Sequence, residues 1–231
     1  MKDIKDYRDK ELKYLLIANA ILFVFCTKYG GQLESFNLQG DYIKFIADIV
    51  GTTLVSGVFS LIAYIFDSIY SSDLKDMLLD FGFSKKPGYT IFTRISDNKI
   101  KDDRFTNAQV KEKYQNILQG LPSDKKEKQK YENSAWYLIY NKYRDSTMIQ
   151  ASQRDFLLCR DLYISTITFL ILYLIGLLSG LASFSIEYIL YLLILSTVLN
   201  IAAHTKASRF VNNAIAIDIA TKESEVRTSV R

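Results

Sequence analysis

Four long stretches of the chain carry almost no charge, and this segregation constrains the fold more than any other feature. A run of about 20 apolar residues is long enough to cross the hydrocarbon core of a bilayer as a helix. Three of the runs approach or exceed that length, and the first reaches it when its flanks at residues 12–29 are included. The sequence therefore predicts a mainly α-helical protein with four transmembrane helices arranged as two hairpins, at residues 14–25, 49–66, 162–184 and 186–203.

The residues before the first run are not typical of a cleaved secretory signal. They include four acidic side chains, and the sequence CTKYGG after the run lacks the small-residue pattern of a cleavage site. We expect the first run to remain in the mature protein.

The distribution of Lys and Arg predicts the orientation in the membrane, because basic residues in short loops tend to stay in the cytoplasm. Segment 67–161 contains seventeen Lys and Arg, whereas the turn SFSIE between the last two runs contains none. Both termini are therefore expected in the cytoplasm. The predicted organisation is an N-terminal tail (1–13), a first hairpin (14–70), a cytosolic module (71–158), a second hairpin (159–205) and a C-terminal tail (206–231).

The cytosolic module is expected to be mostly helical. Helix starts are indicated at Ser72 or Asp73, at the capping box TNAQ of residues 106–109, and at Pro122-Ser123. The segment YTIFTRI is rich in β-branched and aromatic residues and predicts a short strand or β-hairpin. From about Thr147 the sequence lacks a helix breaker, which predicts one continuous helix into the third run.

The residues that usually carry catalysis are sparse, so we expect no enzyme activity, no cofactor and no metal. His204 is the single histidine and has no acidic or cysteine cluster at ligand spacing. Cys26 and Cys159 are too few for a disulfide framework or a zinc site. The basic run KKEKQK is typical of a solvated helix face, which disfavours nucleic acid as a partner.

Small and hydroxyl-bearing residues recur along the second and third runs at the spacing of one helix face. Membrane helices associate through close backbone approach and interhelical hydrogen bonds at such positions. The pattern predicts a seam for helix packing, for oligomer contacts or for the wall of a pore, formed by Asp48, Thr52, Ser56, Gly57, Ser60, Gly176 and Gly180.

A second group of residues suggests contact with a signal or a partner. The junction RDFLLCRD alternates charges on one helix, and guanidinium groups there suit a small anionic ligand or another subunit. For the charged residues, the alternative to such contacts is a set of ion pairs within the chain. For Trp136, the alternative is packing in a core. The candidates are Trp136, Arg154, Asp155, Arg160 and Asp161.

The chain resembles the small multipass membrane effectors of bacterial antiphage defence systems in its layout. This layout consists of two apolar hairpins with small outer turns and a helical cytosolic module. The features nearest to that group are the Gly176-x-x-x-Gly180 spacing, the row of Thr52, Ser56 and Ser60, and the RDFLLCRD junction. The resemblance implies a protein of the bacterial inner membrane that oligomerises on a cytosolic signal and compromises the bilayer.

Three other functions remain open from the sequence. A constitutive ion channel or small transporter would use Asp48 and Asp67 at the mouths of a path, and a membrane-anchored scaffold would recruit a cytosolic protein. An enzyme would need a cleft that combines Arg154, Asp155 and His204. Under the effector hypothesis, the lipid bilayer, a second copy of the chain, and a protein partner or a nucleotide second messenger are the expected partners.

Overall fold

A computed structural model describes residues 4–29, 50–51, 54, 57–58, 61–62, 64–66, 68–80, 87–100, 102–180 and 182–229. The chain divides into two compact units. We call residues 1–81 and 158–203 the apolar unit, and residues 82–157 and 204–231 the polar unit. Eight helices have defined bounds in the described ranges, and the described residues between 50 and 69 are also helical. The eight helices are α1 (Ile4–Tyr29), α2 (Ser72–Leu79), α3 (Ile91–Ser96), α4 (Asn107–Lys113), α5 (Gln115–Gln119), α6 (Lys125–Tyr143), α7 (Thr147–Leu178) and α8 (Ile186–Ser229).

The core of the apolar unit forms where α1 packs against α7 and α8. Apolar residues four apart on each helix face inward because this spacing places them on one side of a helix. The rings of Phe23, Tyr173 and Tyr188 meet edge to face, with centroids 5.1 to 5.8 Å apart. The buried members of this core are Leu12, Leu16, Phe23, Phe169, Tyr173, Tyr188 and Leu192.

A tight turn joins α7 to α8 in the apolar unit. Gly180 follows the end of α7 with φ of 71°, a left-handed conformation that favours glycine. The Tyr173 hydroxyl donates to the Ser183 carbonyl over 3.0 Å and accepts from the Ser185 amide over 2.7 Å. The Ser185 hydroxyl then accepts from the Tyr188 amide and caps the start of α8. Hydrogen bonds of Tyr173 on α7 with the turn residues Ser183 and Ser185 therefore stabilise this turn.

The number of membrane-crossing candidates differs from the prediction. Within the described ranges, two helices are long and apolar enough to cross a membrane, Thr147–Leu178 and Ile186–Thr221, rather than four. The first predicted run lies in α1, where Lys10, Glu11 and Lys13 precede its apolar part. The second run, at residues 49–66, is described only in part, and its described residues are helical.

The predicted β-hairpin is wrong, because residues 91–96 form helix α3. The carboxylate of Glu132, which is 1% exposed, accepts hydrogen bonds from the Phe92 amide over 2.7 Å and the Thr93 amide over 3.0 Å. It therefore satisfies amide groups that the first turn of a helix leaves without partners. Ile91, Phe92 and Ile95 are buried on one side of this turn. Tertiary contacts thus override the strand preference of these residue types.

Other expectations for the polar unit agree with the structure. The Thr106 hydroxyl and the Gln109 side chain form the capping box at the start of α4, and α7 runs without a break from Thr147. The core is aromatic: the Trp136 ring stacks on Tyr140 at 5.4 Å and meets Phe210 edge to face at 5.2 Å. Gly88 lies against this core, since an added Cβ would come within 2.8 Å of the Trp136 ring.

Helix α8 continues through the segment predicted as the C-terminal tail (206–231) as far as Ser229. Several of its residues beyond position 209 are buried in the polar unit, because they supply the apolar face that the aromatic core needs. The buried apolar residues are Phe210, Val211, Ala214, Ile215, Ala216 and Ile219.

Asp218 holds the last part of α8 against α4 and α6. Its carboxylate accepts hydrogen bonds from the hydroxyls of Tyr114 over 2.7 Å and Tyr143 over 2.8 Å, and it pairs with the Lys113 ammonium at 2.9 Å. Burial, together with the neighbouring Asp218 carboxylate, raises the pKa of the Tyr114 hydroxyl well above its usual range. Tyr114 therefore remains a neutral donor to Asp218 at physiological pH.

We expect the substitution Glu132→Gln to destabilise the polar unit. The amide is a weaker acceptor than the carboxylate and directs an NH2 group at donors, which costs about 1–3 kcal/mol. Trp136, the single tryptophan of the chain, is buried in the same unit and reports unfolding by its fluorescence. Glu127→Gln on the exposed start of α6 is the matched control, with an expected change within about 0.5 kcal/mol. Equal denaturation midpoints for the two variants would contradict the role given to Glu132.

Candidate functional site

Four charged side chains are buried together in the apolar unit, and we call them the ionic cluster: Lys75, Asp76, Arg160 and Asp161. Their exposed fractions are 5%, 7%, 6% and 0%. Charged residues are almost never buried to this extent unless they are paired. The cluster is therefore the most unusual feature of this unit.

Helix α2 supplies half of the cluster. The Ser71 hydroxyl accepts from the Leu74 amide over 3.2 Å and fixes the start of the helix. The residues that this helix buries are Lys75, Asp76 and Leu79, so its inward face is mainly charged. Helix α7 supplies the other half from the adjacent positions Arg160 and Asp161.

Arg160 is at the centre of the cluster. Its guanidinium donates to Asp76 Oδ1 over 2.9 Å, to the Ser72 hydroxyl over 3.1 Å and to Asp161 Oδ1 over 3.3 Å. The Lys75 ammonium donates to the same Asp161 oxygen over 3.4 Å. Each cation of the cluster thus lies against a carboxylate, and such pairing is the condition under which buried charges are tolerated.

The far end of α2 is also held by polar groups. The Leu79 carbonyl accepts from the Asn200 side chain of α8 over 2.8 Å, and the Leu78 carbonyl accepts from the Tyr163 hydroxyl of α7 over 3.4 Å. The last carbonyls of a helix have no partner within it, so these contacts satisfy them. Polar interactions therefore hold α2 against both long helices.

Such an arrangement favours a conformational role over a purely stabilising one. Replacing a buried ion pair by well-packed apolar residues is often neutral for stability, whereas removing one partner is strongly destabilising. An ionic cluster therefore specifies one position of α2, and it does so only while all of its members are in place.

The structure separates the residues predicted as signal or partner contacts. Arg160 and Asp161 lie in the ionic cluster of the apolar unit. Arg154 and Asp155 lie in the polar unit, where Lys206 pairs with Asp155 at 2.8 Å and Arg154 approaches Asp155 at 3.7 Å. Trp136 is 5% exposed in the aromatic core. For these residues the structure shows contacts within the chain, the alternative that the sequence left open.

Of the residues predicted as a packing or pore seam, some lie outside the described residues and only the glycines lie within them. Asp48, Thr52, Ser56 and Ser60 lie outside the described residues, as does Asp67. Gly57 is helical, and a Cβ added to it would meet nothing within 4 Å.

In the second hairpin, a Cβ added to Gly176 would lie 3.1 Å from that of Ala182. Gly180 falls beyond the end of α7, so the two glycines of the Gly-x-x-x-Gly spacing do not share one helix.

Sequence reasoning missed Lys75 and Asp76. The apolar residues of this segment mark the inward face of a helix by their spacing, yet one of them, Met77, is 38% exposed. The signal that could have found them is complementary charge, since an adjacent Lys-Asp pair in one segment matches the adjacent Arg-Asp pair at 160–161.

Comparison with protein-family models, curated proteins and solved structures finds no match to this chain. Within the described ranges, no group of three or more His, Cys, Asp or Glu residues is placed to hold a metal ion.

We expect Arg160→Gln to lower the unfolding free energy by about 3–5 kcal/mol, because it leaves two buried carboxylates with a single cation. Arg154→Gln, on the same helix but about one third exposed, is the matched control and should cost less than about 1 kcal/mol. Unfolding of the detergent-solubilised protein, followed by circular dichroism, gives both values. A loss for Arg160→Gln no larger than that for the control would show that the cluster is not a closed buried network.

Proposed function

We propose that the protein is an integral membrane effector whose ionic cluster holds the resting state, and that release of this cluster on a cytosolic signal leads to oligomerisation and loss of the membrane barrier. The context that best suits it is bacterial antiviral defence at the inner membrane. The observation that carries the proposal is the ionic cluster itself, four buried charges in a unit whose outer helix surfaces are apolar.

The exposure of apolar residues supports a membrane setting. The core helix of a soluble protein is mostly buried, whereas only 22% of the apolar window of α8 is buried. Exposed apolar residues along this helix include Leu190, Ile194, Val198 and Ile201, each at least 50% exposed. Contiguous apolar surface of this extent calls for a lipid or protein partner.

Residues 50–69 present a similar surface. Their described side chains are mostly apolar and exposed, among them Leu54 at 67%, Leu61 at 59% and Ile69 at 69%. Lipid satisfies such a helix without further packing. A helix that contacts lipid can later exchange these contacts for those with a second copy of the chain, because the two surfaces are similarly apolar.

The ionic cluster suits a two-state device. A signal can shift a conformational equilibrium only by the difference between its interactions with the two states. Because buried charges are tolerated while they are paired and unfavourable when one partner is withdrawn, a change at α2 that removes one partner favours a second arrangement.

Releasing the cluster should activate the protein without a signal. We expect Asp76→Asn, which weakens the pairing of Arg160, to depolarise the inner membrane of bacteria that express it, as followed with a potential-sensitive dye. Arg154→Gln is the matched control and should leave the potential as in the wild type. Membrane-inserted Asp76→Asn protein that leaves the potential unchanged would contradict the proposal.

Oligomerisation should depend on the open surface around Gly57. We expect Gly57→Leu to reduce oligomers formed by the Asp76→Asn protein, because the added side chain blocks close approach of a second helix while its Cβ meets nothing within 4 Å in its own chain. Leucine also has the higher helix propensity, so the helix itself is not weakened. Val58→Leu, at a position that is 57% exposed, is the control. Crosslinking in membranes measures the oligomer yield of the Gly57→Leu and Val58→Leu variants. Equal yields would show that Gly57 does not lie on the contact surface.

A further inference from the structure

An open cleft of about 700 Å³ lies along α8 within the polar unit. Its volume falls in the range typical of small-molecule sites. One wall is a polar stripe of α8 with the spacing of a single helix face, and the opposite wall is the loop at residues 102–104. The stripe consists of Thr205, Ser208, Arg209, Asn212 and Asn213.

The loop that faces the stripe is fixed in place. Arg104 donates to both oxygens of Asp102, over 2.8 and 2.6 Å, and to Asn213 Oδ1 over 2.8 Å. The hydrogen bonds from Arg104 lower the pKa of the Asp102 carboxyl, so this group stays ionised at neutral pH. The cleft is thus formed in advance, and it does not depend on a ligand to order its walls.

The environment of Asn212 indicates that the cleft binds a ligand. This residue is 8% exposed, lines the cleft, and its Oδ1 atom has no hydrogen-bond partner within the described part of the chain. Buried polar groups in proteins are nearly always paired, so an unpaired acceptor on a residue that lines a cleft needs an explanation. The oxygen itself is buried, so a bound molecule with a hydroxyl or amino donor would supply the missing partner once the amide rotates toward the cleft.

The other lining groups define the chemistry of that molecule. Arg209 has an exposed guanidinium, which is the group best suited to a phosphate, and the Ser208 hydroxyl lies one position before it. The carboxylate of Asp103 can accept hydrogen bonds from hydroxyl groups. Two arginines and two aspartates balance in the lining, which disfavours a polyanion. Among the described lining residues none is aromatic, so stacking of a nucleobase is not favoured.

We propose that this cleft binds a polyol phosphate, a small hydroxylated molecule with a single phosphate. The phosphate lies against Arg209 and Ser208, and hydroxyl groups donate to Asn212 and Asp103. Two sources share this chemistry, a free sugar phosphate and the headgroup of a glycerol phosphate lipid. The proposal is independent of the membrane-effector function.

Calorimetric titration of the full chain in phosphatidylcholine nanodiscs tests the free source, with glucose 6-phosphate as the probe and glucose as the phosphate-free control. We expect saturable binding of the phosphate at concentrations up to about 1 mM. Arg209→Gln should weaken it about tenfold through loss of a charge-assisted hydrogen bond. Arg144→Gln, on an exposed residue of the same unit, is the matched control and should bind as the wild type does.

Asn212→Leu separates a ligand site from a structural role. Replacing an unpaired buried amide with an apolar group of the same size should leave the unfolding temperature equal or higher, while binding is lost.

The lipid source is tested by adding phosphatidylglycerol to the nanodiscs. If the headgroup occupies the cleft, phosphatidylglycerol weakens the binding of glucose 6-phosphate to the wild type, and crosslinking of a photoreactive phosphatidylglycerol to the protein depends on Arg209. Absence of binding in both the free and the lipid arms overturns the proposal. Binding that Arg209→Gln and Asn212→Leu leave unchanged overturns it equally.

Discussion

Burial of charge beside apolar helices is the constraint on which the account of this protein depends. Arg160 of α7 binds the carboxylate of Asp76 on α2 at 2.9 Å, and both side chains are more than nine-tenths buried. Such a pair adds little stability relative to apolar packing, but it permits few other arrangements. The position of α2 is consequently specified more sharply than apolar contacts alone would specify it.

Helix α8 shows how one element can serve two environments. In the apolar unit its residues Ile194 and Val198 are exposed, which suits the lipid contact proposed for this helix. In the polar unit Phe210 and Ile215 are buried in the core, and Asp218 ties the helix to α4 and α6. The change along the helix follows its sequence, in which apolar side chains on all sides give way to an apolar face with polar neighbours.

Local signals in the sequence predicted local structure well. The capping box at Thr106 and the unbroken helix from Thr147 depend on residues a few positions apart, and both are present. The segment at 91–96 was predicted as a strand because its helical form depends on Glu132, about forty residues away in sequence. Local propensity carries no information on such a contact.

The same limit applies to the candidate site. Arg160 and Asp161 are predicted as a site because the junction RDFLLCRD groups opposite charges on one helix. Lys75 and Asp76 lie in an ordinary helical pattern, and only their contacts with α7 in the folded chain show that they belong to the same cluster. The row that begins at Asp48 lies largely outside the described residues, so its role as a seam stays a prediction.

The most direct test of the ionic cluster is the distance between α2 and α7 in a bilayer. Spin labels at Met77 and Leu174, both exposed, would report it by pulsed electron resonance after Cys26 and Cys159 are replaced by serine. We expect one narrow distribution for the wild type and a longer or broader one for Asp76→Asn, because this substitution weakens the pairing of Arg160. Identical distributions in the two proteins would contradict the claim that this cluster holds α2 in one position.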